Sequence, residues 1–186
     1  QYLIKLVDKE GKPNRQNLLQ MGADNEWVLN VSFIDKSLLR NYLAYATAKE
    51  VMPYVQDCRF CEVVWYDGQN YQYEGVYLLI EKIKVGKNRV DLPRFVENSK
   101  NLPFLLRRDR WEPDRLLLNN YARRENLLEG VLRVEWPDEK KLSKQSIQRI
   151  TNQIDAFEKA LFAEDYEEFL RYRDICLLYT SDAADD

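Results

Sequence analysis

The stretch Tyr73-Glu74-Gly75-Val76-Tyr77-Leu78-Leu79-Ile80-Glu81-Lys82-Ile83-Lys84-Val85-Gly86-Lys87-Asn88-Arg89-Val90 runs from an apolar strand through a charged exit into a tight turn. Upstream of it, Cys58 to Tyr66 alternates in the manner of a strand, and Asp67-Gly68 supplies the turn of a hairpin whose second arm is Tyr73 to Lys84. Before the hairpin, Asp35 is a candidate N-cap for a helix through Glu50, with Leu38, Leu39, Tyr42, Tyr45 and Ala46 on one broad face and Pro53 beyond its end. Gln1 to Val7 reads as a strand closed by Asp8-Lys9-Glu10-Gly11-Lys12-Pro13. Strand, helix and hairpin in this order define an α+β region over residues 1–90.

Past Val90 the composition shifts. Residues 91–113 carry three prolines and many charges and read as a connector with little regular structure. Asp114 to Leu128 reads as a short helix stopped by Gly130, and Val131 to Trp136 as a strand. Ser143 is the expected N-cap of a long helix, on which Ile147, Ile150, Ile154, Phe157 and Leu161 recur at spacings of three and four as one apolar stripe. Tyr166 to Arg173 continues as a second helix. The final residues, 176–186, break from this pattern and resemble a translated sequencing adapter, the alternative being an acidic tail. The native sequence is therefore expected to stop near Ile175, which leaves residues 91–175 as connector and the start of a helical lobe.

Composition removes several functions. The 186 residues hold 28 Lys and Arg against 31 Asp and Glu, a formal net charge of -3 with both signs interspersed, so no basic field exists to collect nucleic acid. No apolar run reaches the roughly 18 residues of a membrane span. Histidine is absent, which removes Ser-His and Cys-His nucleophile systems and the commonest general base. Cys58 and Cys61 form a C-x-x-C, but a spacing of three places them on opposite faces of a strand, and no second pair completes a zinc site; both are expected to be half-buried thiols. Arg107-Arg108-Asp109-Arg110 and Arg123-Arg124 are interrupted by acidic residues and read as a solvated helix face rather than a site for an acidic ligand. Twelve tyrosines and four tryptophans suggest a surface for a polymer or protein, although aromatics alternating in strands are more often core.

Trp27-Val28-Leu29, Asp35-Lys36-Ser37-Leu38-Leu39-Arg40-Asn41-Tyr42-Leu43-Ala44-Tyr45, Gly75 to Lys84 and Lys87-Asn88-Arg89-Val90, in this order and spacing, resemble the N-terminal half of the spore-coat protein H (CotH) kinase family. The resemblance is clearest from Gln1 to about Val90. Beyond it, Trp136-Pro137-Asp138-Glu139 and the Ile154 to Leu161 helix resemble the connector before the family's second half. It implies an atypical protein kinase that uses ATP and a divalent metal such as Mg2+ to phosphorylate serine or threonine of coat or surface proteins, at a spore coat or cell envelope. It also implies a kinase-like N-terminal lobe truncated before the second lobe.

Such a lobe needs a strand lysine for the phosphates, a helix behind it and a hairpin whose end becomes the hinge carrying adenine on backbone groups. Lys5 is the candidate lysine, and Glu81, Lys82 and Ile83 the candidate hinge. The helix from Asp35 has no carboxylate between Lys36 and Lys49. Lys5 is therefore partnered by an end carboxylate, by one from another strand such as Glu62, or is not the phosphate lysine. The family's metal-binding and catalytic carboxylates lie in an Asn-x-Asp segment and a later Asp-rich segment, and neither is recognisable before Ile175, so no catalytic or metal residue is assigned here. The alternative function is a noncatalytic surface or adhesion module on the same scaffold.

Overall fold

The computed structural model describes residues 1–52, 54–110, 116–163 and 166–172. They form an α+β protein with an antiparallel sheet and a few helices, divided into two compact units, Gln1–Asp91 and Leu92–Asp186.

The first unit is built on a four-stranded sheet of β1 (Tyr2–Lys5), β2 (Glu26–Asn30), β3 (Cys58–Tyr66) and β4 (Tyr71–Glu81), in the order β1-β2-β4-β3 with every neighbour antiparallel. The alternation of side chains along a strand splits its apolar residues between two faces. On one face Trp27, Leu29, Tyr77 and Leu79 pack with Met21 from the loop ahead of β2, and Ile4, Cys61 and Val63 lie against them. On the other, Cys58, Leu78 and Ile80 pack with Val28 and with Tyr45. Each large side chain taken fully from water contributes about 1.5–3 kcal/mol, so Leu78-Leu79-Ile80 serves both faces at once. Cys58 and Cys61 fall in different apolar clusters, as their spacing requires, and burial pushes both thiols above their ordinary range.

The hairpin carries one irregularity. Val63 faces Gly75 and Val64 faces Tyr73, which leaves Glu74 as an extra residue, and Gly75 takes a φ of +100 that a side chain would resist. The helix α1 (Arg40–Val51) begins five residues after Asp35. Leu38 turns the chain at a φ of +60, and Leu39, not Asp35, holds the N-cap position; the Asp35 carboxylate accepts from the first helical amide, Arg40, at 2.8 Å and from the Ser37 amide at 3.1 Å. The expected broad apolar face is only partly used: Tyr45 and Ala46 are half-buried, Tyr42 leans on Phe60 at 5.2 Å, and Leu39 and Leu43 are exposed.

The second unit pairs β5 (Leu105–Asp109) with β6 (Val131–Trp136) and lays α3 (Lys144–Phe162) on them through Leu102, Leu106, Leu118, Leu132, Val134, Ile150 and Ile154. Ser143 caps α3 by accepting from the Ser146 amide. Ile150, Ile154 and Phe157 of the stripe are buried, whereas Leu161 is exposed. Two expectations are corrected. The 91–113 connector contains β5, whose Arg107 and neighbouring Arg133 both reach Asp109, so the basic cluster lies in a strand and not on a helix face. The short helix is cut to α2 (Tyr121–Arg124), because Leu117 and Leu118 instead bond to β6; residues 114–115 of that expectation, like 111–113 of the connector, lie outside the described residues. The Asp155 and Glu158 carboxylates of α3 accept the Tyr121 and Ala122 amides and so cap α2. The expected second helix is α4 (Tyr166–Leu170), and the terminal residues 173–186 lie outside the described residues.

Candidate functional site

The register of the first sheet decides which charged groups meet. Lys5 faces Glu26 across β1 and β2, and Trp27 faces Glu81 across β2 and β4. Extending the second register past the strand ends sets Lys82 opposite Glu26 and Lys84 opposite Asp24. The ion pairs follow this geometry. The Glu26 carboxylate lies 2.9 Å from Lys84 Nζ, 3.3 Å from Lys82 Nζ and 3.8 Å from Lys5 Nζ, and Lys84 also reaches Asp24 at 2.7 Å. One sheet end therefore carries three ammonium groups around two carboxylates.

Electrostatics there are strongly tied. The hydrogen bond from Lys84 holds the Glu26 carboxyl below its ordinary value, against the opposing effect of its burial, with Lys82 adding to the effect. Burial alone raises the Asp24 carboxyl, but Lys84 and the Glu26 and Asn25 amides outweigh it and leave Asp24 lowered. Lys5 differs from its neighbours, since its side chain is 61% exposed while those of Lys82 and Lys84 are mostly covered. It is the ammonium of the three best placed to meet a group arriving from solvent. Its partner is a carboxylate from another strand, Glu26, whereas Glu62 accepts from the Tyr73 hydroxyl at 3.0 Å.

Glu81 occupies a different environment. It sits on the opposite sheet face, buried, with its carboxylate 2.9 Å from Arg89 Nη1 and accepting from the Asp57 amide at 3.0 Å. Arg89 is fully buried, stacks over the Trp27 ring at 4.8 Å, and donates to the carbonyls of Gly22 and Asn88. Gly22 sits at this crossing, where a Cβ would meet Asn88 and Arg89 closely, at 3.2–3.3 Å. Among the described residues Arg89 Nε and Nη2 and the Tyr54 hydroxyl find no hydrogen-bond partner. Burial, reinforced by the Glu81 charge, pushes the Tyr54 hydroxyl up to about 12. The Glu81 side chain is thus an internal anchor, tying the end of β4 to the turn Gly86–Arg89 and to the loop ahead of β2. Lys82 and Ile83, half-buried just past the strand, run beyond its end with their backbone outside the named ladders.

Of the residues singled out from sequence, Lys5 and Lys82 come together through Glu26, while Glu81 is held apart on the far face. Glu26, Asp24 and Arg89 were missed. The signal for the first two was present: Asp24 and Glu26 are two apart, as are Lys82 and Lys84, which matches one face of an antiparallel pair. Among the described residues no three of His, Cys, Asp and Glu assemble as a metal site. No helix among them is long and apolar enough to cross a membrane.

Fold and site together define an α+β protein with a lysine-rich, carboxylate-pinned sheet end. A family model described as CotH kinase protein matches residues 2–175, and the chain belongs to that family. The match extends past Val90 to Ile175, through the connector. Comparison with curated proteins and with solved structures returned no significant match.

Proposed function

We propose that this chain is part of an ATP-dependent protein kinase of the CotH type, acting on serine or threonine of coat or surface proteins, and that its first unit is a kinase-like nucleotide lobe. The observation that carries this reading is the family match over residues 2–175. The sheet end supports it. A phosphate-binding lysine in a kinase lobe is held by a carboxylate, and Lys5 stands exposed beside Glu26, itself pinned by Lys82 and Lys84.

In this reading Lys5 meets the nucleotide phosphates, and Glu26 takes the part of the mid-helix glutamate that α1 lacks, its one carboxylate being Glu50 at its end. The backbone of Lys82 and Ile83 reads the adenine edge. Glu81 contributes through position, since Arg89 fixes the exit of β4 from beneath. ATP supplies the transferred phosphoryl group, and the protein supplies positioning and charge. The resemblance assigns metal binding to carboxylates of the family's second half. The 186-residue chain incubated with ATP and Mg2+ is accordingly expected to bind nucleotide without transferring phosphate. The test is thermal denaturation with and without ATP. A nucleotide held a hundredfold above its Kd stabilises by about 2.7 kcal/mol, which raises Tm by several degrees. A Tm indifferent to ATP favours a noncatalytic binding module instead.

A further inference from the structure

Apart from Tyr2, whose ring meets Trp65 at 5.9 Å on one face, the outer part of the β3–β4 hairpin is left largely uncovered by the described residues. Because β2 pairs only with Leu78 to Glu81, residues 71–77 of β4 pair with β3 alone, and β3 is the terminal strand of the sheet. Both edges of this ribbon therefore run without a neighbouring strand among the described residues. Aromatic side chains that alternate in strands are ordinarily core, yet here they face solvent: Tyr71 is 77% exposed, Tyr73 60% and Trp65 44%, with Tyr66 and Val64 exposed beside them. The register sets Val64 against Tyr73 and Tyr66 against Tyr71 on one face, where the last two rings stack at 4.6 Å.

Charge on this ribbon has one sign. From Cys61 to Tyr77 there is no lysine or arginine, although the chain holds 28, while Glu62, Asp67 and Glu74 are all present. Glu62 lies on the aromatic face, bonded to the Tyr73 hydroxyl. Electron-rich ring faces beside a carboxylate attract ammonium and guanidinium groups. An unpaired strand edge offers backbone amides and carbonyls to an extended chain.

We infer that the outer β3–β4 hairpin is a docking surface for an extended polypeptide segment carrying lysine or arginine at alternate positions. The segment adds to the free ribbon edge through main-chain hydrogen bonds, and its alternate cationic side chains lie over Tyr71, Tyr73 and Glu62. A glycan would stack on the rings but would leave the strand edge unmet. The inference rests on the hairpin alone and holds whether or not the chain binds nucleotide.

Fluorescence anisotropy of labelled ten-residue peptides, without nucleotide, tests it. A peptide alternating lysine and threonine binds, one alternating glutamate and threonine does not, and the Tyr71→Ser, Tyr73→Ser double variant weakens binding about tenfold. Both positions are exposed, and an unchanged circular-dichroism melt verifies the fold; Glu62→Gln, which keeps the side-chain shape, weakens binding in the same direction. Equal binding of the two peptides, undiminished affinity in the double variant, or capture of cellohexaose in place of the lysine peptide would overturn the inference.

Discussion

Glu26 is the residue on which the charged sheet end turns. It and Asp24 have carboxyls held below their ordinary values of about 4, so the unfolded chain binds more protons than the folded one in acid. Their contribution to stability is full above about pH 4 and is lost as pH falls through the lower folded values. Urea midpoints measured from neutral pH downward are expected to fall less steeply for Asp24→Asn with Glu26→Gln than for the wild type; equal slopes would contradict the assignment. Tyr54 acts in the opposite sense. With its hydroxyl raised to about 12, it stabilises the fold below about pH 10, and that contribution fades as pH rises toward the folded value. Arg89 is the other decisive residue. Removing one member of a buried ion pair strands the other, at a cost of about 3–5 kcal/mol, so Arg89→Ala should lower the denaturation midpoint sharply. A loss no larger than that of an exposed arginine would show that Glu81 is not anchored as described. None of this could be read from Glu81 itself. A charged residue at a strand end looks solvated until the turn at Gly86–Arg89 brings its partner back beneath the sheet.

At the scale of elements, the hairpin and α3 were legible because each repeats one period over many residues. The hairpin alternates by two, and the α3 stripe recurs by three and four behind a Ser143 cap. β5 was not legible, since Leu105-Leu106-Arg107-Arg108-Asp109 shows no alternation and its arginines are held by Asp109. The start of α1 was misplaced for a local reason: Asp35 reaches the Arg40 amide only because Leu38 turns the intervening chain. Two substitutions probe this level. Ile154→Ala removes a fully buried side chain from the α3 face and should cost about 2–5 kcal/mol, whereas Leu161→Ala on the same stripe, exposed, should cost well under 1 kcal/mol. Denaturant titration separates the two, and similar losses would contradict the packing of α3.

For the whole molecule, family membership and α+β class follow from the ordered sequence blocks and are carried by the match over residues 2–175. The candidate site was half legible. Lys5 stood out as a strand lysine and Lys82 as part of the candidate hinge, but the carboxylate joining them lies 21 residues from one and 56 from the other in sequence, and only the strand register unites them. The proposed role of Lys5, poised by Glu26, is to receive nucleotide phosphates. Isothermal titration of ATP into the wild-type chain and into Lys5→Ala tests it most directly. Loss of one charged contact of about 1.5–3 kcal/mol corresponds to at least a tenfold rise in Kd, and that rise is expected with an unchanged melting temperature in the absence of ATP. Equal ATP affinity in the two proteins, or no binding by the folded wild type, would contradict it.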